Sequence, residues 1–234
     1  MLISTLSLEH HAVHAIDGDI GRVYDMCFDD EQWKVRHIVV SAGPWLRRRR
    51  VLLPLASLRA FDTMHHELHI TLTKAQVEAS PDIRTDEPVS RQHEASLLRY
   101  YGFPYYWHGP AINEFMNWEG TGDPHLRSAR EVTGYFVHEL DGTLGRVADL
   151  LIDQDGWEIR YVVVDLHHRR AAQQVLIPRT LVAGIRWAGA ELLVDLTREA
   201  LEQAPRLDAA QPVDHAHEQR LHDYYGRAPY WTGC

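Results

Sequence analysis

Histidine is the residue through which this chain could most readily do acid–base or metal chemistry, with 16 among 234 residues. The local clusters are His10-His11-x-x-His14, His65-His66-x-x-His69, His167-His168 and His215-x-His217-x4-His222. A zinc site recognisable in sequence needs its ligands at a set spacing, such as an H-E-x-x-H helix or paired cysteines. None of the clusters has that form and no Cys pair accompanies them. Side chains so scattered read as surface histidine, and neither a metal site nor a cofactor is expected. Cys27 lies in the apolar run Met26-Cys27-Phe28, and Cys234 is far from it. Cys27 therefore reads as a small buried hydrophobe, and the absence of a disulfide framework fits a reducing compartment.

Charged and aromatic residues supply the other candidates. Asp25 and Asp149 each precede an arginine, Arg36 and Arg160, on what reads as the next strand. The expected role is a cross-strand or turn ion pair that fixes register. Gly18-x-x-Gly21 and Gly142-x-x-Gly145 lack the full G-x-G-x-x-G and open a strand, so they are not a dinucleotide loop. Pro44-Trp45-Leu46-Arg47-Arg48-Arg49-Arg50 forms a basic loop, answered later by His167-His168-Arg169-Arg170. Such a loop either stays solvated or grips a carboxylate patch, a phosphate or a lipid headgroup. It is the leading local interaction candidate. The segments ending Tyr105-Tyr106-Trp107 and Tyr230-Trp231 are dense in aromatics, which bury large areas at low entropy cost. Each is expected to clasp a barrel and help bind two modules together. No Ser-His-Asp arrangement, P-loop or paired-carboxylate site stands out, so an enzyme is not expected.

The elements that must position these residues occur twice. Residues 2–110 align with 126–234 at a constant offset of 124 without a gap, with 35 identities in 109 positions. Asp17-Gly18-x-x-Gly21-Arg22-Val23-x-Asp25 returns as Asp141-Gly142-x-x-Gly145-Arg146-Val147-x-Asp149. Trp33-x-x-Arg36-x-x-Val39-Val40 returns as Trp157-x-x-Arg160-x-x-Val163-Val164, and Val51-Leu52-x-Pro54 as Val175-Leu176-x-Pro178. Glu94-x-x-Leu97-x-x-Tyr100-Tyr101-Gly102 returns as Glu218-x-x-Leu221-x-x-Tyr224-Tyr225-Gly226. Two modules are therefore expected, 1–110 and 126–234, joined by a linker at 111–125.

Within a module the pattern is mostly strand. Ile20–Phe28 alternates, with Tyr24, Met26 and Phe28 on one face; Trp33, Val35, His37 and Val39 share a face of the next. Several short strands at this spacing predict a small closed or sandwiched sheet. Short helical turns are expected at 73–79 and 197–204 before Pro81 and Pro205. Helices follow at 90–101 and 214–225, opened by Ser90 or Asp214 and stopped by Gly102 or Gly226. The fold class is mainly β with appended helices, arranged as two tandem small β-barrels in a pseudo-symmetric pair.

These motifs resemble the PRC-barrel family, whose members include the cytoplasmic domain of the photosynthetic reaction-centre H subunit and a domain of ribosome-maturation factors. The resemblance covers roughly residues 6–75 and 130–199 and implies the same bacterial fold twice. It assigns the residues Gly18, Gly21, Asp25, Trp33, Arg36 and Pro54 to structure, with Gly142, Gly145, Asp149, Trp157, Arg160 and Pro178 as their repeats. The functions of the named relatives do not transfer cleanly: the chain lacks an apolar run long enough to span a bilayer, and its formal charge is −9. That sign disfavours nucleic acid, because no counterions are released on binding. A non-catalytic scaffold or adaptor that binds a protein partner is the first expectation. The alternatives are a reaction-centre H-like assembly or electron-transfer accessory protein, a ribosome or RNA-processing factor, and a small-ligand or metal-binding protein. Without a signal peptide the expected compartment is the cytoplasm; peripheral membrane attachment and self-association stay open.

Overall fold

The computed structural model describes residues 1–47, 49–81, 91–106, 126–139, 142–166, 173–207 and 213–232, with side chains from 94 onward in the third segment. Its strands and helices run as β1 (Leu2–Ser4), α1 (Thr5–Leu8), β2 (Ala12–Ala15), β3 (Gly18–Asp29), β4 (Lys34–Ala42), β5 (Arg50–Pro54), β6 (Leu58–Asp62), β7 (Glu67–Ile70), α2 (Lys74–Glu78) and α3 (Arg91–Tyr101). They continue as β8 (Leu126–Ser128), α4 (Ala129–Val132), β9 (Phe136–Glu139), β10 (Gly142–Asp153), β11 (Glu158–Leu166), β12 (Gln173–Pro178), β13 (Val182–Arg186), β14 (Glu191–Val194), α5 (Arg198–Glu202) and α6 (His215–Tyr225). The chain divides into an N-terminal unit, Ser7–Ala129, and a C-terminal unit made of Met1–Leu6 and Arg130–Cys234.

In the N-terminal unit the strands pair in the order β6-β7-β2-β3-β4-β5, with only β2–β7 parallel. The C-terminal unit repeats this as β13-β14-β9-β10-β11-β12, with β9–β14 parallel. The expected closure into barrels is not found among the described pairings. β5 and β6 are joined by the turn Leu55–Ser57 but do not pair with each other. The reason lies in that turn: the Ser57 carbonyl accepts the Thr71 amide at 2.8 Å, which lays β6 along β7 instead of back on β5. Each unit is thus a mixed, mainly antiparallel open sheet with small helices.

One feature of the strand assignment departs from the simple repeat. β1 pairs antiparallel with β10, Leu2 opposite Asp153, and so belongs to the C-terminal unit. β8, at the same repeat position, pairs with β3 of the N-terminal unit, Ser128 opposite Cys27.

Alternation fails in the middle of the long strands. Asp25 through Asp29 are all buried, as are His37 through Val40. Irregular register between Val23 and Asp25 and between Cys27 and Phe28 marks bulges that re-aim the side chains. Trp33 and Trp157 do not stand on the strand face, as expected from their spacing. They sit in the preceding turn with φ of 57° and 53°. There the Trp33 amide donates to the Asp29 carbonyl at 2.6 Å, and the Trp157 amide to the Asp153 carbonyl at 2.8 Å. Glycine at 21 and 145 has a steric cause: a Cβ would lie 2.1 Å from the Ser41 carbonyl oxygen and 2.2 Å from that of Asp165. Gly18 and Gly142 have φ of 135° and 148°, a conformation closed to L side chains. Pro54 and Pro178 close β5 and β12, opposite His37 and Tyr161.

Candidate functional site

The most elaborate side-chain arrangement in each unit lies where the C-terminal helix meets the sheet. In the C-terminal unit Tyr161 of β11 is fully buried, and its hydroxyl donates to Glu218 Oε2 at 3.0 Å. The same hydroxyl lies 2.9 Å from His222 Nε2. Tyr230 donates to the same Glu218 oxygen at 2.9 Å. Glu218 and His222 share a face of α6, four residues apart, and both are buried. The helix is set by its ends: Asp214 accepts the His217 amide at 2.7 Å, and Gly226 in the left-handed region stops it. The Arg160 guanidinium stacks over the Tyr230 ring at 4.2 Å and pairs with Asp153 at 3.1 Å. Burial, with the Glu218 carboxylate next, pushes the Tyr161 hydroxyl far above its ordinary range, and Tyr230 shifts the same way. Burial likewise lowers His222.

The N-terminal unit has the same frame with different occupants. Tyr106 donates to Glu94 at 2.7 Å, and Arg36 stacks over the Tyr106 ring at 3.7 Å. His37 takes the place of Tyr161, and Leu98 that of His222. His37 is completely buried, its Nδ1 lies 3.6 Å from Glu94 Oε1, and neither ring nitrogen is hydrogen-bonded. Burial, with the Arg36 charge second, lowers it to about 3. These networks join helix, tail and sheet within one unit, and their carboxylates are sealed from solvent: Glu94 is 1% exposed and Glu218 4%.

Asp25 and Asp149 do not pair with Arg36 and Arg160. Arg36 reaches Asp29 at 3.5 Å and Gln32 toward the hairpin turn, because the register sets Asp25 opposite Val39, three residues beyond Arg36. The two aspartates instead hold the strands that enter from the other repeat. Asp149 accepts from the Ser4 hydroxyl, from Thr5 Oγ1 at 2.7 Å and from the Leu6 amide at 3.3 Å. Asp25 accepts from Ser128 Oγ at 2.5 Å and from its neighbour Met26 at 2.7 Å.

The basic loop is largely engaged in its own unit. Trp45 Nε1 donates to the Ile20 carbonyl at 2.8 Å, and Lys74 sits over its ring. Arg49 donates to the Ser80 carbonyl at 2.7 Å and to its hydroxyl at 3.0 Å. Arg50 stacks over the Tyr24 ring at 3.8 Å. Arg47, at a φ of 51°, is exposed. Arg48, Arg169, Arg170, Trp107 and the linker 111–125 lie outside the described residues. Tyr105 lies 3.4 Å from an Arg99 nitrogen, and Trp231 packs on the His215 ring at 4.1 Å.

Two exposed aromatics escaped sequence reasoning. Phe136 and Trp187 are 36% and 47% exposed, and both lie at the β9–β14 end of the C-terminal sheet. The turn beginning at Trp187 leads to Ala190, whose carbonyl accepts the Phe136 amide at 2.9 Å. Arg146 stacks on Phe136 at 3.9 Å. The signal was available in the repeat alignment, since the first copy carries Ala12 and Thr63 at these positions. Among the described residues no group of three or more His, Cys, Asp or Glu is placed to hold a metal ion, and no helix is long and apolar enough to cross a membrane.

No curated protein matches the chain. Residues 12–77, which run from β2 through most of α2, match the family model of the PRC-barrel domain, and the chain therefore contains a PRC-barrel domain in its N-terminal unit.

Proposed function

We propose that the chain is a non-catalytic adaptor built from two PRC-type modules, the second a diverged copy, and that it binds a protein partner through its C-terminal unit. The observation that carries this reading is the contrast between copies. The shared buried Glu, with the tail Tyr donating to it and the Arg stacked on that Tyr, joins helix, tail and sheet within each unit and serves the fold. The copies also differ at exposed positions: Phe136 and Trp187 are partly open to solvent where the first repeat has Ala12 and Thr63. Exposed aromatics flanked by arginine are the composition of a protein-binding patch. The net charge of −9 speaks against a nucleic-acid partner. The test is an affinity capture from native extract, soluble and membrane fractions separately, with the wild type and the Phe136→Ala/Trp187→Thr variant. Those substitutions install the first repeat's own residues.

A further inference from the structure

The parallel β2–β7 ladder sets Ala12 opposite Glu67 and His14 opposite His69. One step before the first pair, it brings His11 and His66 together. His11 Nε2 and His66 Nδ1 lie 3.1 Å apart, with the rings edge to face at a centroid separation of 4.7 Å. Two nitrogens bound to one zinc ion, each about 2.0–2.1 Å from the metal at a tetrahedral angle, lie about 3.3 Å apart. The geometry points to a two-histidine site for a late divalent transition ion in the N-terminal unit, formed by His11 and His66.

The surroundings favour a ligand. His11 is 7% exposed, while His66 is exposed and gives the site an opening to solvent. The His11 backbone amide donates to the Leu8 carbonyl at 3.2 Å, which fixes the residue just ahead of β2. Imidazole nitrogen suits zinc, copper and nickel ions rather than calcium or magnesium. Since no third donor is placed among the described residues, the remaining positions would be filled by water or by a donor from a bound molecule. The site belongs to one repeat: the second copy has Tyr135 and Ala190 instead. The positive φ of His66 is no sign of function, because Ala190 has φ of 49° at the same place.

The test is calorimetric titration of the full metal-free chain with Zn²⁺ alone, for the wild type and for His66→Ala, His11→Tyr, His65→Ala and His14→Ala. The first two variants install the second repeat's residues. One saturable equivalent in the wild type, weakened at least about 10-fold in His66→Ala and His11→Tyr and unchanged in the other two, is the expected result. No saturable equivalent, equal binding in all five proteins, or loss confined to His65→Ala or His14→Ala would overturn the assignment. His66→Ala alters an exposed side chain, so it decides the matter even if His11→Tyr does not fold.

Discussion

Tyr161 donates to Glu218 across 3.0 Å, whereas neither ring nitrogen of His37, at the same position of the other repeat, has a hydrogen-bond partner among the described residues. One frame has therefore been filled in two ways. In the C-terminal unit the buried carboxylate has two tyrosine donors, and in the N-terminal unit Tyr106 approaches it beside a neutral imidazole. Tyr161→Phe removes a donor to a buried carboxylate and leaves His222 facing a hydrocarbon. Urea unfolding should report a loss of about 1–3 kcal/mol.

His37 makes the N-terminal unit sensitive to acid. Its pKa falls from 6.5 in the unfolded chain to about 3 in the folded one. Between those values the unfolded chain binds more protons. This contribution is complete above pH 6.5 and is lost as the pH falls toward 3, by up to about 1.4 kcal/mol per pH unit. His37→Tyr, the second repeat's residue, should flatten the dependence of the urea midpoint on pH between 6.5 and 4. An unchanged slope would mean that His37 does not carry it.

Asp149 should hold the first strand in place. Asp149→Ala leaves the Ser4 and Thr5 hydroxyls and the Leu6 and Leu150 amides without their acceptor. A cost of about 2–3 kcal/mol is expected. Hydrogen exchange should accelerate at residues 2–4, which pair with β10. Exchange at those amides equal to wild type would contradict the anchoring role.

The basic loop should divide by residue. Arg49→Ser releases the carbonyls of Glu78 and Ser80 at the end of α2 and should cost about 1–2 kcal/mol. Arg47→Ser, at an exposed tip, should stay within about 0.5 kcal/mol of wild type. Thermal denaturation of the two single variants separates them.

Much of the frame was legible because duplication prints each structural requirement twice. Gly21 and Gly145, Trp33 and Trp157, Glu94 and Glu218 stand at matching places in both units for steric or hydrogen-bonding reasons that the offset alone flags. The partner of each arginine was not legible, since it depends on the strand register: Asp25 lies opposite Val39, which leaves Arg36 three residues away, near Asp29. Nor was the assignment of β1 to the C-terminal unit, because two repeats with the same acceptor aspartate offer the strand two equivalent places by local pattern. The exposed aromatics were not legible for the opposite reason: duplication marks what the copies share, and Phe136 and Trp187 are where they differ.

The adaptor reading is tested most directly by quantitative mass spectrometry of proteins captured on the tagged full chain from native extract. Wild type and Phe136→Ala/Trp187→Thr would be compared after matching urea midpoints show both to be equally folded. A reproducible partner is expected whose recovery falls at least about 10-fold in the variant, the loss of two aromatic anchors being worth more than ~1.4 kcal/mol. A partner held equally well by both proteins, or no partner in either fraction, would contradict it.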